Sequence, residues 1–95
     1  AADGKIDFHA RTRDIYNLIR GVAAPFPGAY AMAGQDKMTV WEAHPFDEMM
    51  DFSAYAPGEV VDIFDGKLIV RTVDGSLLID RYECDRQIVV GDVLK

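Results

Sequence analysis

The first apolar pattern of the chain has the spacing of a helix. Four apolar residues stand at positions i, i+3, i+4 and i+7 of one helix face, and they are Ile15, Leu18, Ile19 and Val22. Thr12 precedes them and carries a hydroxyl that can cap the first turn. Pro25 and Pro27 follow, and proline does not fit inside a helix. The pattern predicts one helix of about two to three turns that begins after Thr12.

Shorter apolar runs predict strands in the rest of the chain. Residues 24–28 form a rigid connector, and two short strands follow it, over residues 29–33 and 37–43. Residues 45–57 have no regular period and predict a long surface loop.

The strongest strand signal lies in the second half of the sequence. Two Asp-Gly pairs, at 65–66 and 74–75, favour type I′ hairpin turns. The apolar runs that they separate cover residues 59–64, 67–73 and 76–82. This arrangement predicts a three-stranded antiparallel meander.

If both turns contain two residues, the cross-strand pairs follow by counting. Val70 would then face Val61 on one neighbouring strand and Ile79 on the other. Ile63 would face Leu68, and one continuous apolar face would be made of Val61, Ile63, Leu68, Val70, Leu77 and Ile79.

The opposite face of the meander is also too apolar to lie wholly in water. Its apolar members are Val60, Phe64, Ile69, Leu78 and Tyr82. Closure of the sheet into a small barrel by the earlier strands explains this composition, and contact with a partner domain is the alternative. A last strand over residues 88–94 could supply part of the cover.

Length and charge narrow the possible functions. The 95 residues predict a single domain, residues 1–95, with no large internal cavity. The net charge is −6, and residues 38–66 hold seven acidic residues but no Lys or Arg. This balance disfavours general attraction to nucleic acid or anionic membranes. The single Cys84, with no signal peptide and no apolar run of membrane-spanning length, predicts a cytoplasmic protein.

The residues capable of metal binding or catalysis are few and scattered. His9, His44 and Cys84 are far apart, so no metal site is expected. The glycine spacing contains no phosphate-binding loop. Three aromatic residues, Trp41, Phe26 and Phe64, can stack on nucleic-acid bases, but core packing is the favoured interpretation because the surrounding charge is negative.

A short polar stripe on the predicted helix is the one candidate binding site. Arg13, Asn17 and Arg20 fall on the face opposite the apolar one. The stripe is suited to phosphate or carboxylate contacts, and equally suited to an ordinary solvated helix face.

Several segments resemble the C-terminal domain of the formyltransferase family, which includes methionyl-tRNA formyltransferase and related enzymes acting on amino sugars and folate. The first is Ile6-Asp7-Phe8, and the second is the helix segment from Ile15 to Gly21. The segment from Pro25 to Tyr30 and the Gly58-Glu59-Val60 start of the meander also resemble that domain. The resemblance covers most of the chain, and it is strongest up to residue 44.

The resemblance implies a mainly β (α+β) fold, a small open antiparallel barrel of oligonucleotide-binding type preceded by one short helix. It also implies that catalysis belongs to an N-terminal domain, whose Asn, His and Asp promote formyl transfer from 10-formyltetrahydrofolate. None of those residues is matched here, so the chain is expected to bind no cofactor itself and to have that catalytic domain as its partner. The absence of an initiator Met fits a processed N-terminus or a piece of a longer protein, and the second interpretation is favoured.

The nature of the formyl acceptor stays open at this stage. Members of the family that use tRNA are expected to present positive charge, whereas residues 38–66 are acidic. An amino sugar or other small amine is therefore slightly favoured as the acceptor. The alternatives are a domain that binds the tRNA acceptor arm, a stand-alone RNA-binding module, and a homodimer built on Val60, Phe64, Ile69 and Leu78.

Overall fold

One helix and five antiparallel strands form the regular structure of the described residues. The computed structural model describes residues 4–22, 28–46 and 54–95. The strand order in the sheet is β1-β2-β5-β4-β3. The elements are α1 (Thr12–Gly21), β1 (Ala29–Ala33), β2 (Asp36–Pro45), β3 (Val60–Phe64), β4 (Lys67–Arg71) and β5 (Ser76–Cys84). The prediction of a mainly β fold with one short helix in front is confirmed. The connector predicted at 24–28 and the loop predicted at 45–57 lie largely outside the described residues.

The turn between β3 and β4 is the predicted two-residue hairpin. Phe64 pairs with Lys67 and Ile63 pairs with Leu68, so only two residues connect the strands. Asp65 and Gly66 have φ values of 52° and 73°. A type I′ turn needs positive φ at both central positions, and Asp-Gly meets that need with little strain.

The connection between β4 and β5 differs from the prediction. Val70 pairs with Leu77, and Leu68 rather than Val70 pairs with Ile79. Regular pairing ends at Arg71, so the connection is longer than two residues. The pairing partner of Val70 is thus displaced by two residues along β5. Because side chains alternate with a period of two, this displacement leaves the same residues on the buried face.

A bulge in β3 corrects a second detail of the register. Val60 pairs with Val70, and Asp62 pairs with Ile69, which leaves Val61 as the extra residue. Val60 is therefore fully buried in the core, where Val61 had been expected. The other predicted outer-face residues differ in burial, since Ile69 is 6% exposed and Phe64 is 40% exposed.

The end of the chain links the two outer strands of the sheet. Leu94 forms an isolated bridge with Ala33 of β1, and Val93 forms one with Glu59 just before β3. Met32 and Lys95 exchange two backbone hydrogen bonds of 2.7 and 2.9 Å, and the Leu94 N–H donates to the Gly58 carbonyl at 2.8 Å. The strand predicted at 88–94 is therefore reduced to these two bridges. The N-terminal segment also covers the edge of β1, since Lys5 forms a parallel bridge with Tyr30.

The loop after β4 fixes the start of α1. Asp74 Oδ1 accepts hydrogen bonds from the Thr12 backbone N–H at 2.9 Å and from the Thr12 hydroxyl at 2.7 Å. Thr12 is the first helical residue rather than the predicted cap, and the N-cap residue Arg11 makes no side-chain cap. The Thr12 hydrogen bonds lower the pKa of Asp74, the backbone bond most of all. The helix is thus capped by a carboxylate that is distant in sequence.

The apolar face of α1 packs as predicted. Ile15 and Ile19 are buried in the core, and Leu18 and Val22 pack against it. On the sheet side, the alanines of β1 and the inward residues of β2, β4 and β5 complete this core, and these are Ala29, Ala31, Ala33, Met38, Val40, Ala43, Leu68, Val70, Leu77 and Ile79.

Gly58→Ala is expected to lower the free energy of unfolding by about 2–3 kcal/mol. Gly58 has a φ of +90°, and an added Cβ would lie 2.3 Å from the Leu94 carbonyl oxygen, so the C-terminal segment would have to move. Gly66→Ala is the control, since Gly66 also has positive φ but an added Cβ meets nothing within 4 Å. Its expected loss is about 1 kcal/mol. Equal losses in urea unfolding would contradict this role of Gly58.

Asp74→Ala is expected to lower the free energy of unfolding at pH 7 by about 1 kcal/mol, because the helix loses its cap. The pKa of Asp74 is lower in the folded chain than in the unfolded one, so the contribution is complete above about pH 4. It is lost as the pH falls from there through the lower pKa of the folded state. The difference between wild type and variant in urea unfolding should shrink over that range.

The matched control for the cap is Asp85→Ala. Asp85 is an exposed carboxylate with no hydrogen bond or ion pair among the described residues. Its replacement is expected to change the free energy of unfolding by less than about 0.5 kcal/mol at every pH. A wild-type advantage over Asp74→Ala that stays constant down to pH 2 would show that the carboxylate is not the cap.

Candidate binding groove

The predicted stripe lies on the solvent side of α1. Arg13, Asn17 and Arg20 are all exposed. Arg20 differs from the other two because its guanidinium carbon lies 5.3 Å from the centre of the Tyr16 ring. Arg20 also lines a cavity beside the helix, whereas Arg13 and Asn17 lie on the open helix surface.

A cavity of about 420 Å³ lies between α1 and β2, and it is called the helix–strand groove below. The helix supplies one wall and the end of β2 supplies the other. The lining residues are Tyr16, Ile19, Arg20, Trp41, Glu42, Ala43 and His44. The volume falls within the usual range of small-molecule sites.

An irregularity in β2 shapes the strand side of the groove. Val40 pairs with Tyr82 and Ala43 pairs with Ile79, and the register shifts on both sides of Glu42. Val40 and Ala43 are both buried although they are three residues apart. A regular strand cannot point residues at this spacing to the same face. The bulge therefore places His44 on the side opposite Ala43, which is also the side of Trp41.

His44 is held by a carboxylate from the neighbouring strand. Its Nδ1 lies 2.5 Å from Oδ2 of Asp80, which is 15% exposed, whereas the His44 side chain is 62% exposed. Lys67 Nζ approaches the other oxygen of Asp80 at 3.7 Å. The Tyr16 and His44 ring centres are 6.1 Å apart. Because Nδ1 is bound to Asp80, Nε2 is the ring nitrogen left for a ligand.

The charges around the groove do not cancel completely. Glu42 is 3.7 Å from Arg81, and Asp80 interacts with Lys67 and His44. Arg20 forms no ion pair with any carboxylate in the described parts of the chain. The groove therefore has a local positive excess on a molecule whose net charge is −6.

The side chains of the groove can recognise particular ligand groups. Aromatic rings and a guanidinium recognise flat rings and anions. Asn17, the only Asn of the chain, lies exposed on α1. The second histidine of the chain is His9, whose Nδ1 lies 3.5 Å from Oδ1 of Asp7. Within residues 4–22, 28–46 and 54–95, no three His, Cys, Asp or Glu side chains are grouped as a metal site would require. Cys84 is a free, half-buried thiol.

Sequence reasoning missed most of the groove. Trp41 had been interpreted as a core residue, but it is only half-buried and lines the cavity; Phe64 is likewise exposed rather than in the core. His44 and Asp80 are 36 residues apart, so no local pattern connects them. Tyr16 stands one turn before Arg20. This i, i+4 spacing is the one local signal that could have predicted the contact between the two side chains.

A family model matches most of the chain. The family model described as "Formyl transferase, C-terminal domain" matches residues 1–91. The match confirms the resemblance that rests on the segments between Ile6 and Tyr30 and on Gly58-Glu59-Val60, and it includes all five strands. Separately, no helix among the described residues is both long enough and apolar enough to cross a bilayer.

Iodide is expected to quench the emission of Trp41, the only tryptophan, more efficiently than caesium does. The reason is that Arg20 lines the same groove and attracts anions. Arg20→Ala should reduce the iodide quenching constant roughly twofold. Lys37→Ala is the control, because Lys37 also lies above a tyrosine ring, that of Tyr30, but outside the groove. Stronger quenching by caesium in the wild type would contradict a positive groove.

Proposed function

Because the chain belongs to the family of formyl transferase C-terminal domains, we propose that residues 1–95 form one accessory domain that does not itself transfer a formyl group. The formyl donor of the parent enzyme is 10-formyltetrahydrofolate, and an N-terminal catalytic domain of the same protein carries out the chemistry. This domain, with its small open barrel of oligonucleotide-binding type, helps to position the acceptor. The protein acts in the cytoplasm, where a lone Cys84 stays reduced.

One observation carries the positioning role, and it is the helix–strand groove. The groove places Arg20 and Trp41 around a single cavity, although they come from different elements. Neither side chain is needed to complete the buried core. A half-buried tryptophan and an exposed arginine that face one cavity are features of a surface that receives a ligand.

The charge of the domain favours a small acceptor over tRNA. Glu42 and Asp80 compensate most of the cations near the groove, and the chain carries a net charge of −6. A tRNA surface needs many unpaired cations along a backbone path. An amino sugar or another small amine needs only a cavity, and one of about 420 Å³ is sufficient for it.

The second candidate is recognition of a tRNA acceptor arm. It is favoured by three exposed arginines, Arg11, Arg13 and Arg20, which lie in or next to α1 and have no ion-pair partner in the described ranges. Three phosphate contacts would give weak binding that added salt removes. Arg13 separates the two candidates, because it lies outside the groove and matters only for a phosphate path along the helix.

The test is steady-state kinetics of the full enzyme that carries this domain, with an amino-sugar nucleotide and with aminoacylated tRNA as acceptors. The double variant Arg20→Ala plus Trp41→Ala is expected to raise the KM of the acceptor about tenfold and to leave kcat within about twofold. The reason is that the groove binds the acceptor but does not touch the reacting atoms. Lys37→Ala should change neither constant.

The 95-residue chain alone is expected to show no folate-dependent formyl transfer. Turnover by this chain would refute the accessory role. If the double variant lowers kcat and leaves KM unchanged, the groove does not position the acceptor. If Arg13→Ala raises the KM of tRNA as strongly as Arg20→Ala does, the tRNA candidate replaces the small-amine one.

A further inference from the structure

The helix–strand groove has the composition of a site for an aromatic base that carries a phosphate. We propose that it binds the nucleoside phosphate portion of a ligand, with the base against Trp41, the phosphate at Arg20 and a sugar hydroxyl at His44. The inference rests on the proposed function, because it names the ligand class of the same surface. It extends that function by giving each of the three residues a separate chemical task.

Trp41 is a rigid ring available for stacking. On one side the ring packs tightly against the backbone, since a Cβ added to Gly28 would lie 2.9 Å from its Cζ3 atom. The ring nevertheless lines the groove and also a second cavity beside Arg81 and Tyr82. A ring that is fixed on one side and open on the other loses little conformational freedom when a base stacks on it. Base stacking on such aromatic platforms is a general means of nucleotide binding.

Arg20 supplies the anion-binding group. Its guanidinium lies above the Tyr16 ring, so the side chain is already directed along the groove wall rather than free in solvent. It has no carboxylate partner within the described ranges, so a phosphate would not have to displace one. A guanidinium matches phosphate with two parallel N–H donors, and a placed guanidinium does so at lower entropic loss.

His44 supplies an acceptor at a defined position. The hydrogen bond between Nδ1 and Asp80 fixes the ring, and with the proton on Nδ1 the remaining Nε2 accepts hydrogen bonds. Nucleoside phosphates carry sugar hydroxyls that can donate to such an acceptor. Lys67 contacts Asp80 from the other side and helps to hold this carboxylate in place.

Glu42 limits the charge that the site accepts. It lines the groove but is engaged by Arg81 at 3.7 Å. The local excess is therefore about one positive charge, that of Arg20, which suits one phosphate group better than a long polyanion. Both a free nucleotide, including a nucleotide-linked sugar, and the terminal nucleotide of a nucleic acid carry the required base, sugar and phosphate.

The test is a titration of the ¹⁵N-labelled 95-residue chain, followed by the indole N–H signal of its only tryptophan. The probes are UMP, AMP, uridine and inorganic phosphate. Either nucleotide is expected to shift the Trp41 signal saturably, with an affinity at least about tenfold higher than that of uridine or phosphate. Arg20→Ala should weaken nucleotide binding about tenfold and His44→Ala about threefold, while uridine binding should not depend on Arg20.

Lys37→Ala is the matched control, and it should leave the nucleotide affinity within about twofold of the wild type. Three results would overturn the proposal. They are no saturable shift at nucleotide concentrations on the order of 10 mM, equal affinity for phosphate and nucleotide, and equal losses in Lys37→Ala and Arg20→Ala. Retained native dispersion in the spectrum of each variant shows that a loss of binding is not a loss of fold.

A hexauridylate titration identifies the source of the nucleotide. Binding more than about tenfold tighter than that of UMP indicates a nucleic-acid end, and equal or weaker binding indicates a free nucleotide. Failure of this inference is distinguishable from failure of the proposed function. If no nucleotide binds while Arg20→Ala plus Trp41→Ala still raises the acceptor KM of the enzyme, the groove positions an acceptor of another chemical class.

Discussion

The hydrogen bonds between the C-terminal segment and the two outer strands hold the rest of this structure together. Lys95 bonds to Met32 of β1, and Leu94 bonds to Gly58 just before β3. An open five-stranded sheet exposes unpaired backbone groups along both edges. The N-terminal segment covers part of the β1 edge, where Ile6 and Gly4 bond to Tyr30. The C-terminal segment satisfies part of both edges and buries Leu94 at the same time. The close approach leaves no room for a side chain at residue 58.

The position of α1 depends on the sheet whose outer strands are linked in this way. Once β4 and β5 are fixed, the loop between them presents Asp74 to the first residue of α1. Ile15 and Ile19 then pack on the sheet and set the rotation of the helix about its axis. That rotation brings Tyr16 and Arg20 beside the bulged part of β2. The groove is therefore a consequence of how the helix is capped and packed, rather than a separate structure added to the fold.

The charge at the groove differs from the charge of the whole chain. The chain is acidic as a whole, and most cations near the groove are neutralised by carboxylates. Arg20 stands out because its neighbour is an aromatic ring instead of an acid. Such a local cation can attract an anionic group without creating a general nucleic-acid surface.

The amino-acid sequence by itself determined the element types and the buried faces. Helical spacing placed Ile15 and Ile19 in the core, and the pair at 65–66 specified a hairpin turn, because both signals act between residues close in the chain. Tertiary structure decided the register around Val70, the bulges in β2 and β3, and the cap of α1 by Asp74. It also decided the groove, where His44 and Asp80 meet across 36 residues. These features arise from packing between distant segments, which no local spacing of residues encodes.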